Sequence, residues 1–214
     1  MNNTSPIILA SASPRRKELL DQIGIRYTVY AVDIDETPLI NESPLAYVQR
    51  VAAEKSAACV VKLQTEQLVL AADTTVVLGD VIMGKPKDEA DALAMLRQLS
   101  GKTHQVYSAI SLRGREHAQA VSITDVTFKV LSEQEILAYW HSGEPLDKAG
   151  AYAIQGKGSV FVTAINGSFS GVVGLPLFET AQLLRQQGID VVGQVSVRQT
   201  HLHPQSRPIG TRCV

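Results

Sequence analysis

The chain has 214 residues, 45% hydrophobic, 19% charged and 5% aromatic, which is the make-up of a globular protein with one domain or two lobes around a cleft, not of a disordered or fibrous one. Its formal charge of −1 argues against the strongly basic face of a general nucleic-acid binder, and no apolar run approaches the roughly 20 residues of a membrane span. Cys59 and Cys213 stand far apart with no secretory signal ahead of them, and read as free thiols in a reducing cytoplasmic compartment.

In chain order, Pro6 to Ala10 is a short apolar strand. Ser11-Ala12-Ser13-Pro14 turns into a helix with Leu19, Leu20 and Ile23 on one face and a stop near Gly24; Ser13 fits the N-cap and Pro14 the first helical position. A strand is predicted over Arg26 to Val32 and a helix from Pro44 to about Lys62. Leu68 to Leu78, apolar and β-branched, reads as a buried strand, with Gly79-Asp80 as a hairpin turn after it. Asp88 to Leu99 carries acids in its first turn and stops at Ser100-Gly101, the marks of a helix. Strands follow over Gln105 to Leu112 and Ala120 to Val130, then a helix that starts on a Ser132/Glu135 capping box and ends near Gly143. Val160 to Ile165 and Phe169 to Val173 flank Asn166-Gly167, which predicts another hairpin, and a last helix runs from Pro176 to Gln187. Strand-helix alternation mixed with hairpins predicts an α/β fold, a mixed β-sheet flanked by helices. Residues 1–192 make up the folded unit in this reading. Residues 193–214, with three arginines and no acid, read as a flexible extension; His201 and His203 there form at best a weak metal site.

Some positions break the local pattern in ways that point to chemistry. Ser11, Ser13, Arg15, Arg16 and Lys17 gather hydroxyls, cations and free N–H groups at a strand-to-helix junction. That is a phosphate-binding arrangement, or else a capped helix with a solvated basic first turn. Asp73 interrupts the apolar run, where a buried carboxylate needs a partner, a metal or a cleft; capping a strand end is the alternative. Strict alternation sends Thr74 to the other face, so a shared role for both predicts a twist or bulge. Asp33-Ile34-Asp35-Glu36 is either a divalent-cation cluster or a solvated turn. Lys55 falls on the apolar face of its helix, so it snorkels or points into a polar cleft, and Lys85 sits in a loop before Pro86. There is no G-x-x-x-x-G-K-[ST], G-x-G-x-x-G or H-E-x-x-H motif and no cysteine cluster, which argues against P-loop, dinucleotide and zinc-hydrolase chemistry.

Ser11-x-Ser13-Pro14-Arg15-Arg16, Ala72-Asp73-Thr74, Gly84-Lys85-Pro86, Leu99-Ser100-Gly101, Asp147-Lys148-Ala149-Gly150-Ala151-Tyr152, Ile154-Gln155-Gly156 and Val173-Gly174-Leu175-Pro176 closely resemble, in order, the signatures of the Maf family of nucleoside triphosphate pyrophosphatases. The resemblance implies a fold like that of the inosine triphosphate pyrophosphatases, with two lobes around a deep cleft. It also implies a cytoplasmic enzyme, a possible homodimer acting without nucleic acid or membrane, that cleaves nucleoside triphosphates to monophosphate and pyrophosphate with Mg²⁺ or Mn²⁺. By position, Asp73 looks like the base that activates water, Ser11, Ser13, Arg15, Arg16, Lys55 and Lys85 like phosphate ligands, and Asp35, Glu36 and Asp73 like metal ligands. Arg15, Thr74 and Gln155 resemble the subgroup acting on dTTP and UTP, as against one acting on 7-methyl-GTP. The family is associated with nucleotide-pool cleaning and with inhibition of septum formation, which leaves a non-catalytic division regulator as the alternative.

Overall fold

The computed structural model describes residues 6–193; of the predicted extension, all but Gly193 lies outside the described residues. Strand β1 (Ile7–Leu9) leads through helix α1 (Pro14–Gln22) to β2 (Tyr27–Val29), and α2 (Pro44–Leu63) leads on to β3 (Val69–Leu78). β1 lies between β2 and β3 and runs parallel to both. The strand order therefore reverses at β1, and the carboxyl end of such a strand is where open α/β sheets form a binding crevice. The remaining strands are antiparallel: β4 (Val81–Met83), β5 (Thr103–Arg113), β6 (His117–Phe128) and β7 (Val162–Asn166). The result is a mixed seven-stranded sheet in the order β2-β1-β3-β5-β6-β7, with β4 attached to β3. Helices α3 (Glu89–Leu99), α4 (Glu133–His141), α5 (Phe169–Val173) and α6 (Leu177–Gln186) complete it.

The two-residue period of a strand sorts the core onto two faces. Ile7, Leu9, Leu70, Ala72 and Val76 pack with Leu20 of α1, Leu96 of α3 and Leu184 of α6. Ile8, Ala10, Val69 and Ala71 turn the other way onto Cys59 of α2, and Ala109 of β5 meets Val48 and Ala52 of the same helix. None of the helices among the described residues is long and apolar enough to cross a membrane. The capping box of α4 is present, with Ser132 accepting from Glu135 N and Glu135 accepting from Ser132 N.

One local expectation is corrected, and another holds in position but not in its side-chain bond. Asn166-Gly167 does not turn a hairpin, because Phe169–Val173 is helical. The Ser168 hydroxyl accepts from Gly171 N at 3.0 Å and caps that turn of helix, while Gly174, at φ 130°, ends it, and these caps outweigh the strand preference of Val172-Val173. Ser13 stands at the N-cap of α1 but its side chain makes no cap hydrogen bond. Its N–H instead reaches Ser11 Oγ at 3.2 Å.

His104 on β5 is 2% exposed, its Nε2 lying 2.9 Å from Tyr152 Oη and its ring edge-on to Phe128. Burial lowers its pKa from 6.5 to about 4. The unfolded chain therefore takes up a proton that the native site refuses, so this contribution to stability is complete above pH 6.5 and lost as pH falls toward 4. Between pH 7 and pH 5 the expected loss is about 2 kcal/mol. Urea unfolding at the two pH values should show that loss in the wild type and a clearly smaller one in His104→Gln.

Candidate active site

The carboxyl end of β1 opens into a cavity of about 750 Å³, within the range of small-molecule sites. Its walls are the loop after β1, the middle of β3, the Gly84-Lys85 loop, the stretch 147–155 and the end of α5. β1 pairs only with Val69 and Leu70 of β3, and β4 pairs with β3 only from Val76 onward. Between these contacts β3 has an open edge. The cavity wraps that edge and receives side chains from both faces of the strand, Asp73 from the α2 face and Thr74 from the other. The register with β5 is unbroken from Val69 to Val77, so of the twist or bulge that a shared role would call for, the bulge is absent. A missing neighbour strand does what the bulge was invoked for.

Asp73 is 6% exposed and lies 2.9 Å through Oδ1 from Lys55 Nζ. The same ammonium is 2.9 Å from Glu36 Oε1. Of the two fates open to Lys55, the structure takes the cleft, not the surface. Glu36 is brought in by a loop clamped to α2: Arg50 bonds Glu42 at 2.6 Å and Thr37 O at 3.1 Å, and Glu42 accepts from Leu39 N at 2.9 Å. Burial raises the Asp73 pKa; Lys55 and Arg16 pull it back without cancelling the rise. Asp73 is thus a paired carboxylate that holds a proton more readily than one in water.

Ser11, Ser13, Arg15, Arg16 and Lys85 all line the cavity. Ser11 Oγ accepts from Arg16 Nη1 at 3.1 Å, and Arg16 Nε donates to Gly174 O at 2.9 Å, which ties the first turn of α1 to the end of α5. Burial lowers the pKa of both arginines, opposed for Arg15 by Asp147 and for Arg16 by Asp73. Such desolvated cations attract anions strongly. Lys148, which sequence reasoning did not single out, also lines the cavity, its pKa depressed first by burial and then by Arg15. With Lys55 counted, cations outnumber the lining acids Glu36, Asp73 and Asp147. Gly150, at φ 68°, lets this stretch lie against β3; a Cβ there would come within 2.9 Å of Val76. Its N–H donates to Gly84 O at 3.1 Å and so joins the Lys148 and Lys85 loops.

Thr74 and Gln155 line the same cavity as Arg15. Ser108 Oγ donates to Gly171 O at 2.6 Å, so in its 2.9 Å contact with Thr74 Oγ1 it is the acceptor. The Thr74 proton is thereby committed to the protein and its oxygen lone pairs remain to accept. Asp35 is not among the lining residues. Its Oδ1 accepts from Thr37 N at 2.9 Å and caps an exposed turn, a local use of an Asx side chain.

These features describe a class before any comparison is made: an α/β protein whose switch-point crevice gathers several cations around one buried, lysine-paired carboxylate. The family model described as Maf-like protein matches residues 6–187, and the chain belongs to that family. The motif-based resemblance is borne out. The chain is 54% identical to the dTTP/UTP pyrophosphatase of Myxococcus xanthus over 190 residues, covering 89% of this chain and 96% of that protein. It is 54% identical to the dTTP/UTP pyrophosphatase of Methylococcus capsulatus over 184 residues, 86% of this chain and 91% of that one. Among solved structures, that of the Staphylococcus aureus Ham1 protein aligns with a TM-score of 0.44 and 18% identity over 58% of this chain and 72% of that one.

Proposed function

We propose that this chain hydrolyses nucleoside triphosphates between the α and β phosphorus atoms, releasing a monophosphate and pyrophosphate, with dTTP and UTP as preferred substrates. The carrying observation is Asp73, buried and held by Lys55, in a cavity that also presents the cations Arg15, Arg16, Lys85 and Lys148 and the hydrogen-bonding side chains of Thr74 and Gln155. The names of the relatives above support the same reaction and the same bases. Lys55 holds Oδ1 of Asp73, and Oδ2 takes the proton of a water that attacks the α-phosphorus. The bond from that phosphorus to the bridging oxygen breaks, and Arg15, Arg16 and Lys85 stabilise the charge moving onto pyrophosphate.

No three His, Cys, Asp or Glu side chains stand together as a ready metal site among the described residues. Glu36 and Asp73 nevertheless both face the cavity. That donor set fits a divalent cation, Mg²⁺ or Mn²⁺, held by one or two carboxylates and by the phosphates themselves. Bound there, the cation would neutralise charge on the triphosphate. Asp35, which caps the Thr37 turn and does not line the cavity, is not a ligand in this reading. The proposal extends to a cytoplasmic enzyme that works as a homodimer on free nucleotides.

The test is product analysis by phosphorus NMR with dTTP or UTP and Mg²⁺. Equal amounts of monophosphate and pyrophosphate are expected. Diphosphate with orthophosphate, or tight binding without turnover, would overturn the proposal, the second in favour of a nucleotide-binding regulator.

A further inference from the structure

Gln155 is exposed to the cavity on a loop, and a loop alone does not hold a recognition group in place. This loop is fastened on both sides of Gln155 by a single carboxylate. On the C-terminal side, Glu144 Oε2 accepts from Lys157 N at 2.9 Å and Oε1 from Gly158 N at 3.0 Å. On the N-terminal side, the buried Tyr139 hydroxyl accepts from Ala153 N at 3.0 Å and donates to the same Oε1 at 2.8 Å. Gly156 completes the fit, since a Cβ there would stand 2.3 Å from Glu144 Oε2.

Resting on the pyrophosphatase reading above, we propose that Glu144, together with Tyr139, is a positioning residue for base selection: it fixes the loop that presents Gln155 to the nucleotide base and takes no part at the phosphates. Each group that touches the Glu144 oxygens is a donor, so the site demands an acceptor at both oxygens. Burial would raise the Glu144 pKa, but the backbone N–H groups of Gly158 and Lys157 and the Tyr139 hydroxyl outweigh it and hold it below the usual range. The carboxylate is therefore ionised wherever the enzyme works, and the device is a fixed brace, not a switch.

Two variants disturb the brace by independent routes. Glu144→Gln keeps the size but turns an NH₂ group toward backbone donors; Gly156→Ala leaves Glu144 intact and pushes its carboxylate away. Both should keep kcat on dTTP within about twofold, raise KM about tenfold and lower the preference for dTTP over GTP by about tenfold. Competitive inhibition by inorganic tripolyphosphate, which has no base, should be unchanged, and thermal melting serves to check folding. If Glu144→Gln fails to fold, Gly156→Ala carries the test. Unchanged KM and preference in a folded variant would overturn the inference. So would parallel losses of kcat and tripolyphosphate inhibition, which would mark Glu144 as support for the whole cavity. A wild type that does not turn over dTTP or UTP would instead overturn the proposed function, and the inference with it.

Discussion

Replacing Asp73 by Asn should lower kcat on dTTP by roughly 10²-fold or more while leaving nucleotide binding largely intact. Asn keeps the shape and still offers an oxygen to Lys55 Nζ, now 2.9 Å from Asp73 Oδ1, and Lys55 retains Glu36 as its ionic partner. What disappears is the site that accepts a proton. In the wild type kcat should fall on the acid side as Asp73 is protonated, and because burial raises this pKa the fall should begin above the usual aspartate range. Single-turnover rates across pH for both proteins provide the measurement. Near-normal turnover in Asp73→Asn would move the base role to Glu36, the other cavity carboxylate bound to Lys55.

The second large effect concerns base choice. Thr74 presents an acceptor, since its proton is taken by Ser108, and the Gln155 amide supplies a donor as well as an acceptor; together they match the N–H and carbonyl edge of thymine or uracil. Gln155→Glu leaves only acceptors opposite the pyrimidine carbonyls and adds a charge. The kcat/KM for dTTP and UTP should fall by roughly 10²-fold, since an unmatched buried polar group costs about 1 to 3 kcal/mol and a charged one more. The triple change Arg15→Trp, Thr74→Gln, Gln155→Glu should shift preference toward 7-methyl-GTP, the added aromatic ring giving a methylated purine a stacking surface. Rates on dTTP, UTP and 7-methyl-GTP for the three proteins decide the matter. A wild-type preference for the methylated purine, or no shift in the triple variant, would sink the assignment of base choice and leave the hydrolysis untouched.

How much of this was legible beforehand depended on whether the cause was local. A carboxylate in an apolar run and a lysine on the apolar face of a helix are visible in sequence because each violates its own element's pattern, and Asp73 and Lys55 turned out to be partners. The capping box and the Gly79-Asp80 turn are likewise local, and both are present. The brace at Glu144 was not legible, because its partners are backbone N–H groups that any residue carries. The Glu42–Arg50 clamp depends on how a loop returns to α2. The error at Phe169–Val173 came from weighing side-chain preference over the caps at Ser168 and Gly174. The need for a twist or bulge between Asp73 and Thr74 follows from one strand considered alone, whereas the open edge depends on where its neighbours stop.

That edge carries a consequence for how such enzymes diversify. Asp73 and Thr74 are successive codons, yet a β-strand gives them separate surroundings: one meets Lys55 of α2, the other Ser108 and the carbonyl of Gly174. Their backbone is pinned by unbroken pairing with Ala109 and Ser108. If Thr74 reads the base as proposed, a mutation at position 74 should alter what the pocket accepts without moving the carboxylate next to it. In that reading a lineage carrying this strand can tune base choice at one position while the neighbouring carboxylate keeps its own surroundings.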